Sequence, residues 1–180
     1  MKTKNLIIIA LFTAILCVIS PFKIILPFTP VPITLQVIGV SLCGIILGSK
    51  KGSLSVLIYL ILGSFGLPVF SGFTGGIQVL VGPTGGYLIS FVVAAFVMGL
   101  IFEKFNTSLP IIILSNLVGL LIVYILGSIY LSLNTTLSLI NAFKAGVIPF
   151  IIPDLVKITI VSYLEFILIK RNFITTYLKN

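Results

Sequence analysis

The sequence predicts an all-α integral membrane protein: six transmembrane helices in one domain over residues 1–180, with both termini in the cytoplasm. Three observations predict it: the composition, the spacing of the apolar runs and the distribution of positive charge. Of 180 residues, 59% are hydrophobic and 8% charged, with a mean hydropathy of +1.34. Soluble domains are about a quarter charged. A water-soluble fold of this size could not hide so much apolar surface, because its exterior would have to be largely polar.

A bilayer core about 30 Å thick needs roughly 20 apolar residues in a helix. Runs of that kind lie at 6–22, 34–49, 53–70, 86–102, 109–133 and 148–169. Each is expected to be helical, since backbone polar groups cannot stay unpaired in lipid. The first run follows Met1-Lys2-Thr3-Lys4 and imitates the opening of a signal peptide. No small-x-small cleavage site follows it, and Leu16 precedes Cys17, so it reads as the first membrane helix. The second run is short, and a start nearer Val31 would lengthen it.

Six spans bring both termini to one face. That face receives Lys2, Lys4, Lys50, Lys51, Lys104, Lys170, Arg171 and Lys179, whereas the opposite face receives Lys23 and Lys144. The positive-inside rule makes the richer face cytoplasmic. The net charge of +8 is therefore topological. Nucleic-acid binding is not expected, because the cations sit at the ends of apolar runs and form no basic stripe.

The connections then sort by side. The external ones are unusual: proline-rich 23–33, glycine-rich and uncharged 71–85, and a longer polar stretch at 134–147. The turns at Ser49–Gly52 and Glu103–Ser108 are short, charged and internal. Binding residues concentrate on loops held by a rigid scaffold, so an external ligand pocket capped by loops 23–33 and 71–85 is expected.

The polar residues narrow the chemistry. Histidine is absent, which removes the commonest general base and metal ligand. Cys17 and Cys43 lie inside apolar runs and read as packing residues. The three acids lie far apart or on opposite sides, so no paired-carboxylate site is possible. No metal cluster, cofactor or enzyme activity is expected. Glu103 reads as a solvated turn residue beside Lys104. Glu165, in the inner half of the last span, is expected to snorkel, to pair with Lys170 or Arg171, or to touch a partner subunit.

Asp154 and Lys157 are the informative pair. A spacing of three puts them on one helical face in the outer half of the last span. A charge in the bilayer interior costs roughly 2.5–3.5 kcal/mol on insertion scales and usually marks a substrate site. A structural ion pair is the alternative. As a ligand clamp, Asp154 would accept N–H groups and Lys157 would meet a carboxylate. Pro149 and Pro153 either open the helix locally or mark its start near Asp154. Gln36, Gln78 and Tyr87 are polar groups near the same external end and are expected to orient a ligand, with Gln36 and Tyr87 as binding residues.

The glycines of 71–85 allow close backbone approach to a ligand. They form no G-x-x-x-x-G-K-[ST] loop, so the chain is not its own ATPase. Ala10 and Ala14, four apart in the first span, suit close helix packing within the chain or against another membrane subunit.

Four segments taken in order resemble the BioY family: Pro30-Val-Pro-Ile-Thr-Leu-Gln36, Gly66-Leu-Pro-Val-Phe-Ser-Gly-Phe-Thr-Gly-Gly76, Gly82-Pro-Thr-Gly-Gly-Tyr87 and Pro153-Asp-Leu-Val-Lys157. These proteins are the biotin-binding S-components of energy-coupling factor transporters. The resemblance implies six helices, external capture of biotin, and association with a transmembrane coupling subunit and two cytoplasmic ATPases. It implies a multi-pass protein of the bacterial cell membrane. By the same resemblance Asp154, Lys157, Gly72, Thr74, Gly75 and Gly76 are binding residues, and Ala10 and Ala14 dock the coupling subunit. Thr74 stands where another polar residue such as Asn is expected. Biotin suits the residue chemistry: ureido N–H groups at one end and a carboxylate at the other match one acid and one amine on a helical face. An S-component for thiamine or riboflavin, or a solitary small transporter, is the alternative.

Overall fold

The apolar runs do form helices, but the chain divides them differently from the sequence reading. The computed structural model describes residues 3–105 and 108–171. Lys2 and Lys179, counted above among the cytoplasmic charges, lie outside the described residues. In chain order the elements are α1 (Thr3–Ile19), β1 (Lys23–Ile24), β2 (Ile33–Thr34), α2 (Gln36–Ser64), α3 (Ile77–Val81), α4 (Gly85–Lys104), α5 (Leu109–Asn134), α6 (Leu139–Gly146), a 3₁₀ turn at Ile148–Phe150, and α7 (Ile151–Lys170).

The spans expected at 34–49 and 53–70 are the two arms of α2, and no charged loop joins them. Gly48 alone leaves helical geometry, at φ 80° and ψ 177°, a region open to glycine without steric cost. The chain reverses there: Gln36 Nε2 donates to the Tyr59 hydroxyl at 2.8 Å, and Cys43 Sγ lies 3.7 Å from Ser55 Oγ. The arms therefore lie side by side and antiparallel. Lys50 and Lys51 fall inside the second arm, two and three residues past Gly48.

Glu103 is exposed at the end of α4, as expected, and it also caps the reversal. Its Oε1 accepts the Ser49 N–H at 2.8 Å and its Oε2 accepts the Ser49 hydroxyl at 2.7 Å. The second arm starts at Ser49, where backbone N–H groups lack intrahelical acceptors and the helix dipole favours an anion. Glu103, from the end of α4, supplies the cap.

Three further segments are defined by the structure. The polar stretch 134–147 contains a helix, α6, whose N-cap Ser138 accepts the Asn141 N–H. The last span is a 3₁₀ turn followed by α7, with Pro153 in the first turn, where its missing N–H removes no intrahelical bond. Residues 23–34 are non-helical, as their prolines require, and Lys23 pairs with Thr34 and Ile24 with Ile33 in a two-stranded antiparallel strap.

In the bundle, α2 packs on α1 and α4, α4 on α5, and α5 on α6 and α7, with α7 returning to α2. Leu16, Val56, Phe70, Ala94, Ile112 and Leu131 are fully buried in the core. Large apolar side chains such as Ile7, Val18, Ile152 and Ile160 stand on the exterior, so the outward surface suits lipid. Among the described residues four stretches are long and apolar enough to cross a membrane: Gln36–Ser64, Gly85–Lys104, Leu109–Asn134 and Leu139–Lys170. α1 is shorter, with 17 residues.

Glu165 departs from its expected surroundings. It is fully buried and bonded to Ser41 and Asn116. It neither snorkels nor meets Lys170, which lies over the Phe166 ring at 5.5 Å.

Candidate ligand-binding site

The first turn of α7 delivers Asp154, an acid near the positive end of the helix dipole. One turn on, Lys157 reaches back and pairs with Asp154 Oδ1. Asp154 is 4% exposed and Lys157 9%. Isolated charges at such burial would be costly, but neither is isolated. The Tyr124 hydroxyl of α5 donates to Asp154 Oδ2 at 2.7 Å. Lys157 Nζ donates to the Thr34 carbonyl of β2 at 2.9 Å. An ammonium has three N–H groups, so one remains to donate elsewhere. The couple ties α5, α7 and the strap together, with an acceptor and a donor side by side.

These heads face a cavity of about 70 Å³. Its polar lining includes Thr34, Gln36, Thr84, Tyr87, Tyr124, Asp154 and Lys157, and its apolar walls include Val37, Phe70, Leu88, Phe91 and Phe150. Few polar groups in a mostly apolar wall is the usual composition of a small-molecule site, but such sites span about 300–1,000 Å³. Pro32, Ser71, Val79 and Thr84 also line a second space, an outer vestibule of about 320 Å³ that meets Lys23, Thr29 and Thr74.

Gln36 begins α2 at the cavity wall. Its Oε1 accepts the Thr34 hydroxyl at 3.1 Å while its Nε2 is held by Tyr59. The Tyr87 hydroxyl donates to the Gly146 carbonyl at 3.4 Å. Its ring lies where a side chain on Gly127 would project, so that glycine makes room for it.

Four of the residues singled out from sequence thus meet at the cavity: Asp154, Lys157, Gln36 and Tyr87. Thr74 lines the outer vestibule instead, with its hydroxyl donating to the Ser71 carbonyl at 3.1 Å. Gly72, Gly75 and Gly76 line neither space. The Gly72 N–H donates to Pro21 O at 2.7 Å and the Gly76 N–H to Gly63 O at 2.7 Å, so both shape the loop. Gly75 packs against the backbone of Gly66 and Leu67. Gln78 bonds back to Gly75 O and also stays out of the cavity.

The residue before the strap touches the glycine-rich loop, and the strap is tied to α6. Phe22 packs edge-on against Phe73 with ring centroids 5.9 Å apart, and the Thr29 hydroxyl donates to Ala145 O at 2.8 Å. Tyr124 and Thr34 were not singled out from sequence. Tyr124 did carry a signal: a phenol inside the apolar run of α5 needs a partner for its hydroxyl. Thr34 acts through its backbone carbonyl, which leaves no trace in the sequence.

Ala10 and Ala14 are exposed on α1. They line an apolar groove of about 610 Å³ between α1 and the second arm of α2, with Leu6, Thr13, Leu54, Ile58 and Leu62.

Comparison with known proteins follows the same pattern. Residues 1–172 match a model of the BioY family. "Probable biotin transporter BioY" of Pyrococcus horikoshii is 46% identical over 157 residues, covering 87% of this chain and 91% of that one. "Biotin transporter BioY" of Thermotoga maritima is 43% identical over 159 residues, covering 88% and 92%. A crystal structure of the S-component for biotin from an ECF-type ABC transporter superposes with a TM-score of 0.90 at 30% identity, covering 98% of this chain and 96% of that one.

Proposed function

The chain belongs to the BioY family, and on that premise we propose that it is the membrane subunit that captures biotin for an energy-coupling factor importer. Members of the family are transporter components, not enzymes. The observation that carries the biotin reading is the buried Asp154–Lys157 couple turned into a mostly apolar cavity.

The geometry refines how such a couple would work. In place of the one-acid, one-amine match to the two ends of biotin, we read the pair, whose Nζ and Oδ1 touch, as a single head. It presents one acceptor beside one donor. A ureido edge, with N–H next to C=O, is complementary to that arrangement: Asp154 accepts the N–H and Lys157 donates to the carbonyl. Tyr124 fixes the carboxylate, and Phe70, Leu88, Phe91 and Phe150 enclose the bicycle. The valerate then points to the vestibule, where Lys23 is the cation among the described lining residues. Admission requires the strap 23–34 to lift, since the enclosed space is narrow and the strap forms part of its wall. Loops 23–33 and 71–85 are the lids, and Gly72, Gly75 and Gly76 serve by shaping the second.

In the membrane, α1, the two arms of α2, α4, α5 and α7 are the six spans. Lys50, Lys51, Lys104, Lys170 and Arg171 mark the cytoplasmic end, and the vestibule opens outward. The protein is a multi-pass component of the cell membrane as one 1–180 domain. Ala10 and Ala14 offer the close-approach surface for the coupling subunit, which links to two ATPases. Calorimetric titration of the purified chain with biotin, thiamine and riboflavin tests the substrate. Saturable binding of biotin alone is expected; tighter binding of either other vitamin would overturn it.

A further inference from the structure

A second polar cluster lies deeper on the same helices, and ligand capture does not use it. Ser41 of α2, Asn116 of α5, and Ser162 and Glu165 of α7 are each at most 1% exposed. Four contacts join them. Ser41 Oγ is 2.6 Å from Asn116 Oδ1 and 2.6 Å from Glu165 Oε1. Asn116 Nδ2 is 2.8 Å from Glu165 Oε2 and 2.9 Å from Ser162 Oγ.

Counting protons decides the charge state. A hydroxyl carries one proton, an amide nitrogen two, and an ionised carboxylate none. The two nitrogen contacts use both amide protons. The Ser41 contact with Asn116 Oδ1 can only be bridged by the Ser41 proton. The short Ser41–Glu165 contact then has no proton unless Glu165 supplies it. Exchanging the amide O and N of Asn116, an assignment that hydrogen-bond networks must settle, changes nothing. Ser41 is then free to donate to Glu165, but Asn116 O faces Glu165 Oε2 and again needs a carboxyl proton. Both arrangements close only with a neutral acid.

The surroundings agree. The groups bonded to Glu165 are a serine of α2 and an asparagine of α5, both uncharged. On its own helix Lys157 is engaged by Asp154 and Lys170 lies over Phe166. Among the described residues no cation pairs with Glu165, so an ionised form would be an uncompensated buried charge.

We infer that Glu165 is held as the neutral acid, and that its proton closes a hydrogen-bonded ring locking α2, α5 and α7 beneath the ligand cavity. The ring lies eight residues from the cavity on two helices, Asn116 below Tyr124 and Glu165 below Lys157, which is about 12 Å at the helical rise. It fixes the register of α5 against α7 on which the Tyr124–Asp154 bond depends. Its members are positioning residues that touch no ligand.

Infrared spectroscopy of the purified full chain in an ester-free detergent at neutral pH tests this. The wild type should show a protonated-carboxyl C=O stretch that shifts in D₂O and vanishes in Glu165→Gln. Glutamine can reproduce the ring, its carbonyl accepting from Asn116 and its amide donating to Ser41, so Glu165→Gln should keep wild-type melting temperature and biotin affinity. Glu165→Leu strands buried polar partners and should lower the melting temperature. Absence of the band, or its survival in Glu165→Gln, overturns the inference even if the leucine variant does not fold. So does a glutamine variant as unstable as the leucine one. Biotin binding can fail independently of the infrared result, which separates this inference from the substrate reading.

Discussion

Two polar rungs cross the seam between α5 and α7, and they use an acid in opposite ways. In the upper rung Asp154 meets a phenol and an ammonium, keeps its charge balanced, and faces a cavity. In the lower rung Glu165 bonds to serine and asparagine and does not line the ligand cavity. Both are acids on one helix within a bilayer-length apolar run. An acid balanced by a neighbouring cation can stay charged and present donor and acceptor to a ligand. One offered only neutral partners closes on itself and becomes structure.

The contrast predicts its largest effect in the upper rung. Lys157→Ala leaves Asp154 buried without its cation, a change that costs about 3–5 kcal/mol in comparable pairs. Biotin binding by calorimetry should fall more than a hundredfold, and Asp154→Asn should act in the same direction. Equal losses from Glu165→Gln would erase the distinction between the rungs. Tyr124→Phe comes next. It removes one hydrogen bond to a charged group, about 1.5–3 kcal/mol, and should weaken biotin roughly tenfold or more while the helical signal in circular dichroism is unchanged.

Smaller effects should appear away from both rungs. Glu103→Ala removes the acceptor for Ser49 at the α2 reversal, where losing a helix cap costs about 0.5–2 kcal/mol. A lowered melting temperature with unchanged biotin affinity is expected. Lys23→Ala should have the smallest effect: a modest fall in the biotin association rate, shrinking as salt is raised, because an exposed charge is screened. Stopped-flow measurements across ionic strength would detect it.

Much of this arrangement was legible in the sequence because the signals were local. Apolar run length gave the helices, and a spacing of three gave the Asp154–Lys157 couple. Gln36 and Tyr87 stood out as polar groups near span ends, and both reach the cavity. What was not legible depended on partners distant in the chain. Ser49–Gly52 looked like the turn because it is charged. Yet the reversal occurs at Gly48, because one positive φ suffices when Glu103, 54 residues away, caps the new helix. Glu165 looked like a snorkelling acid for the same reason: its partner Ser41 is 124 residues away. The glycines of 71–85 read as ligand contacts from sequence, and what the sequence did not show is that the Gly72, Gly76 and Gly85 N–H groups bond to the chain itself.

A structure of the chain with biotin bound is the most direct measurement. The ureido edge should lie within hydrogen-bond distance of both Asp154 and Lys157, with Tyr124 still on Asp154. Biotin held in the outer vestibule, with the couple untouched and still bonded to Thr34, would contradict it.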